Sequence, residues 1–61
     1  MKRVLIVDDD RWFAELLAKQ LRGINIDVQI VAHALEAMAA IDEHPPAVII
    51  LDIFMPGPND R

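Results

Sequence analysis

The chain has 61 residues, 54% of them hydrophobic and 26% charged, which bounds it to one small domain and is too apolar for a disordered tail. Ten acidic side chains against six basic ones leave a net charge of −4, without the clustered cations that a nucleic-acid grip needs, and the lack of Cys excludes disulfides and thiolate metal sites. The longest apolar runs, Ala37 to Ile41 and Ala47 to Leu51, fall far short of the ~20 residues of a spanning helix, and Val4 to Val7 is too short an export signal, so a soluble, cytoplasmic chain without a membrane partner is expected.

Val4-Leu5-Ile6-Val7 is apolar without alternation, the pattern of a strand buried on both faces. Asp8-Asp9-Asp10 ends it abruptly. From Arg11 the period becomes helical, with Phe13, Leu16, Leu17 and Leu21 as the apolar positions. Asp10 suits the N-cap of this helix and Gly23 its C′ stop. Ile26 to Val31 then alternates, Ile26, Val28 and Ile30 against Asp27 and Gln29, as a half-polar edge strand does. Leu35, Met38, Ala39 and Ile41 outline a second, Ala-rich amphipathic helix, with His44 in its last turn and Pro45-Pro46 forbidding continuation. Ala47 to Leu51 is another uniformly apolar strand, ended by Asp52, and Met55 to Asp60 is turn chemistry.

The order β-α-β-α-β implies an α/β fold with parallel strands and right-handed crossovers. Putting the half-polar strand at an edge predicts the spatial order 2-1-3, with the two helices on opposite faces. One conflict remains. The third strand is apolar enough to want a neighbour on each side, yet this order leaves it at an edge, where an unpaired apolar strand invites association. Either further strands complete the sheet or another molecule supplies them.

Parallel strands end on one side, so Asp8 and Asp9 after the first strand and Asp52 after the third should meet at one rim. The strand order reverses between these two strands, and that crevice is where open α/β sheets bind ligands. Converging carboxylates favour a hard cation, and Mg²⁺ accepts one or two carboxylates along with waters and phosphate oxygens. The chain holds no Ser, Thr, Tyr or Cys, so carboxylates, His33, His44, Lys2 and Lys19 are its nucleophiles. A metal-neutralised Asp is the natural acceptor of a phosphoryl group. Capping accounts for Asp10, but one helix start does not need three further acids on two strands. No glycine-rich phosphate loop competes, since Gly23 and Gly57 are isolated.

The run Val4-Leu5-Ile6-Val7-Asp8-Asp9-Asp10, followed by Val48-Ile49-Ile50-Leu51-Asp52-Ile53-Phe54-Met55-Pro56-Gly57, resembles the first half of a response-regulator receiver domain. The resemblance covers residues 1–61 and implies a partial flavodoxin-like, doubly wound sheet from which strands 4 and 5 are missing. It implies a phosphoacceptor in a two-component phosphorelay rather than a dedicated enzyme. Asp52 would take phosphate from a histidine kinase or phosphotransfer protein to form an aspartyl phosphate. Mg²⁺ would be held by Asp9 and Asp52 directly, by Asp8 largely through water, and by the main-chain carbonyl of Phe54. Two departures stand out. Asp60 occupies a position where the family usually has Gly. The Ser or Thr of strand 4 and the Lys of strand 5 that read the phosphate have no counterpart, so the accepting half is present and the reading half absent.

The remaining residues take blander roles. His33 reads as a cap or loop residue rather than a ligand, and His44 as a complement to its helix C-terminus. Trp12 is expected to pack partly at the start of the first helix rather than anchor a kinase. Met38 and Met55 are assigned to core and loop packing, and Arg11 and Arg22 to a solvated face. A second reading makes the chain a truncated or engineered assembly module, a homo-oligomer joined through the open edge of the third strand and without signalling activity. A small Mg²⁺-dependent phosphatase using Asp52 is weaker, because nothing supplies a general acid.

Overall fold

A computed structural model describes residues 2–51. Strand β1 (Arg3–Val7) is followed by helix α1 (Arg11–Gly23), strand β2 (Asp27–Val31), helix α2 (Ala34–Glu43) and strand β3 (Val48–Leu51). The strands form one parallel sheet in the order β2-β1-β3, as the hydrophobic pattern predicts. Val4 pairs with Val28 on one side and Val48 on the other, and Val7 likewise with Val31 and Leu51. This is the arrangement of a partial flavodoxin-like fold.

The two helices lie on opposite faces. Val4, Ile6 and Val28 meet Ala14 and Ala18 of α1, while Leu5, Val7 and Val31 meet Ala37 and Ala40 of α2. The buried stripe of α1 is Ala14, Leu17, Ala18 and Leu21, at the i, i+3, i+4, i+7 spacing of one helix face. Two expected core residues, Phe13 and Leu16, are instead exposed, and on α2 so are Leu35 and Met38. The reason is steric. An alanine at the contact lets the helix axis come close to the sheet, and the bulkier neighbours are then turned onto the helix flanks. Trp12, expected to pack partly, is 74% exposed at the outer side of α1.

Side chains brace both helix starts, in different ways. The Asp10 carboxylate accepts from the Phe13 N–H at 3.1 Å, the N-cap role expected of it. His33 occupies the N-cap position of α2, but its side chain makes no capping bond. Glu36 serves that helix instead, accepting from the Ala32 N–H at 2.8 Å and placing an acid in the first turn.

The end of α1 corrects the expected glycine stop. Gly23 is the last helical residue, and Asn25, at φ 71°, takes the left-handed position. The Ile26 N–H bonds to the Leu21 carbonyl and the Asn25 N–H to that of Arg22, both at 3.1 Å, which is the Schellman pattern. Leu21 and Ile26 each pack against the α1 face of the core. Asn tolerates the left-handed region better than other non-glycine residues do, so no glycine is needed there. Arg22 is not merely solvated: its Nη2 donates to the Val28 carbonyl at 3.0 Å. Arg11 is exposed, and its Nε lies 3.0 Å from Glu15 in an i,i+4 pair.

Ala18 is fully buried against β1 and β2. Ala18→Leu should therefore lower stability by about 1–3 kcal/mol through overpacking, seen as a lower urea midpoint at unchanged slope. Asp10→Ala should cost about 1 kcal/mol by leaving the first turn of α1 uncapped. Asp10→Asn, which keeps a side-chain acceptor, should restore most of that loss in the same titration.

Candidate functional site

The acidic run that closes β1 does three different things. Asp8 continues the strand by one residue, its N–H donating to the Val31 carbonyl at 3.0 Å, and its side chain is drawn inward to 4% exposure. The Asp8 carboxylate accepts from the Asp10 N–H at 2.8 Å, a bond across two residues that turns the chain from strand into helix. Asp10 then caps α1. Asp9, between them, is exposed and faces away from the core. Its side chain takes no part in the capping.

A buried carboxylate is tolerated only where hydrogen bonds replace its lost water. Among the described residues no buried side-chain oxygen or nitrogen lacks a partner, and Asp8 obeys that rule. The energetic meaning is direct. Removing the Asp8 acceptor would strand the Asp10 N–H and loosen the turn that sets the cap, so the inner acid and the helix start are coupled.

β1 ends beside both neighbours. Val7 and Leu51, which immediately precede Asp8 and Asp52, are register partners. The order reverses at this pair, since β2 lies on the far side of β1. Asp52, Phe54 and Met55 lie outside the described residues. Among the described residues no group of three or more acids or histidines gathers as a metal cluster. Asp8 and Asp9 contribute two oxygen-donor side chains, the number and kind that Mg²⁺ takes while keeping waters. Carboxylate oxygens are hard donors and suit such an ion rather than a soft metal.

The other sequence candidates do not join this rim. His33 and His44 are both exposed at opposite ends of α2, His33 before its first turn and His44 after its last, with the His44 N–H bonded to the Ala40 carbonyl at 2.9 Å. The Asp10 N–H to Asp8 bond is the one element of the site that pattern reading missed. Its signal lay in the chain all the same, since an Asp two residues before a cap is a common turn former. No helix among the described residues is long and apolar enough to cross a membrane.

Comparison with known proteins identifies the family. The model of the response regulator receiver domain matches residues 4–59. The DNA-binding response regulator MtrA of Mycolicibacterium paratuberculosis is 38% identical over 58 residues, covering 95% of this chain and 26% of that protein. MtrA of Mycobacterium tuberculosis gives the same identity at 25% of its length. The transcriptional regulatory protein BaeR of Escherichia coli is 31% identical over 55 residues, covering 90% of this chain and 23% of its own. The chain thus spans about a quarter of the length of these curated relatives. No solved structure matches it significantly. With its parallel β2-β1-β3 sheet and its acid pair at the end of β1, this chain belongs to the response regulator receiver domain family.

Proposed function

We propose that residues 1–61 form the N-terminal half of a receiver domain and that Asp52 is its phosphoacceptor in a two-component phosphorelay. The observation that carries this reading is the pairing of Val7 with Leu51 beside the buried Asp8, because it sets the residues before Asp8 and Asp52 side by side. The donor of the phosphoryl group is a phosphohistidine on a histidine kinase or phosphotransfer protein. A carboxylate oxygen of Asp52 attacks phosphorus; the new P–O bond forms as the P–N bond breaks, and the imidazole leaves. The product is an acyl phosphate.

Asp9 and Asp52 are assigned as direct Mg²⁺ ligands, with the Phe54 carbonyl, and Asp8 as a partner acting largely through water. Bound Mg²⁺ supplies screening between the anionic nucleophile and the anionic phosphoryl group. Asp8 is suited to its part because the Asp10 N–H holds its carboxylate in one orientation. Asp9 is suited to the other because it is exposed. We infer a phosphoacceptor that takes part in its own phosphorylation rather than a dedicated enzyme. DNA binding is a property named for MtrA; this segment, with a net charge of −4 and no basic cluster, is assigned no nucleic-acid contact, and a soluble cytoplasmic setting suits its partners.

The reading is tested by incubating the folded chain with Mg²⁺ and a small-molecule acyl phosphate donor, then measuring intact mass. One added phosphate, labile to acid and absent without Mg²⁺, is the expected result. Asp52→Asn should remove it completely, while circular dichroism shows the fold intact. Asp8→Asn should raise the Mg²⁺ needed for half-maximal labelling ~10–100-fold, the usual cost of losing an outer-shell partner. Labelling of Asp52→Asn at the wild-type level would sink the assignment.

A further inference from the structure

Asp10 serves the helix and the acid pair at once. Its carboxylate accepts from the Phe13 N–H at 3.1 Å and its carbonyl from the Ala14 N–H at 3.0 Å, so side chain and main chain together close the first turn of α1. Its own N–H donates back along the chain to Asp8 Oδ1 at 2.8 Å. Amide, carbonyl and carboxylate of one residue are thus all engaged. The direction of that N–H is set by the Asp10 backbone, which stands at φ −85° and ψ 92°, the extended setting of an N-cap.

Both ends of this turn are anchored. On the strand side the Asp8 N–H donates to the Val31 carbonyl at 3.0 Å, and Asp8 is buried. On the helix side Ala14 is fully buried against β1 and β2. The freedom that remains lies in the backbone between these anchors, and the Asp10 cap removes it. Asp9 sits inside the loop that the Asp10 N–H and Asp8 Oδ1 close, so the same turn places the exposed acid. A carboxylate that is already oriented meets a cation without a further loss of rotamer freedom. A hydrogen bond that orients a ligand from outside is therefore part of the site's affinity.

We propose that Asp10 is a positioning residue for Mg²⁺: its side-chain cap on α1 fixes the amide that orients Asp8, and so sets the affinity of the acid pair for the cation. The proposal rests on the assignment of Asp8 and Asp9 to Mg²⁺ above. Asp10 is not itself a ligand, because its carboxylate is turned to the helix start. It acts through its backbone, and any side chain that caps α1 equally well serves the site equally well. Linkage makes the effect reciprocal, so that the bound cation tightens the first turn of α1 by as much as the cap tightens binding.

Titration of the folded chain with Mg²⁺ tests it, followed by the amide resonances of residues 8–10 at about 0.15 M salt, where charges more than about 8 Å apart are screened. The wild type should saturate. Asp10→Ala should raise the Mg²⁺ needed for half-saturation roughly 3–10-fold, short of the full cost of deleting an outer-shell partner. Asp10→Asn and Asp10→Ser lose the charge but keep a capping oxygen, and should stay within about twofold of the wild type. Asn25→Ala strains the Schellman turn at the other end of α1 without changing charge, and should leave the affinity of the folded chain unaltered. Hydrogen exchange on the wild type is independent of every variant: added Mg²⁺ should slow it at the Asp10 and Phe13 amides. Four results would each overturn the proposal and leave the metal assignment standing: wild-type affinity in Asp10→Ala, equal weakening in the Asn and Ser variants, weakening by Asn25→Ala, or exchange at those two amides indifferent to Mg²⁺. A wild type that never saturates would overturn the metal assignment, and the proposal with it.

Discussion

β1 is covered by a helix on each face and hydrogen-bonded to a strand on each edge, and every other element takes its position from it. Val4 and Ile6 point to α1, Leu5 and Val7 to α2, so one strand of alternating direction serves two cores. What lets both helices come near is the alanine pair on each. Removing apolar surface from water contributes roughly 25 cal/mol per Å², and close approach increases the area that β1 loses to solvent. Larger residues at those contacts would push the helices outward and uncover the strand that organises the sheet.

The same strand sets the chemistry at its end. Asp8 is buried because it is the residue after a fully covered strand, and it is tolerated because the Asp10 N–H satisfies it. The turn made by that bond presents Asp10 to the first turn of α1. Three like residues in a row are thereby separated into an inner acid, an exposed acid and a cap. The division follows from backbone direction, since each residue leaves the strand end at a different angle. Stability and site geometry share these bonds, which is why a change at the cap reaches the inner acid.

Bulky apolar side chains are exposed on both helices, Phe13 and Leu16 on α1 and Leu35 and Met38 on α2, and along β3 at Val48, Ile49 and Leu51. β1 and β3 end together at the rim, with Val7 beside Leu51.

The element order, the parallel sheet with β2 outermost, the placement of helices on both faces and the Asp10 cap were legible in the sequence. They depend on local patterns: a hydrophobic period, a β-branched run, a capping residue before a helix. The family was legible as well, because Asp8, Asp9 and Asp52 stand in a fixed relation to two apolar strands. The core face of each helix was not. Periodicity favoured the largest side chains, Phe13, Leu16, Leu35 and Met38, whereas the tertiary contact selected alanines, since the distance between helix and sheet belongs to neither element alone. The Schellman turn at Asn25, the hold of Arg22 on β2 and the inward turn of Asp8 were likewise decided in three dimensions. The sequence by itself determined which acids stand at the strand ends. Tertiary structure decided which acid is buried, which is exposed and which caps a helix, because burial is a property of what packs around a residue.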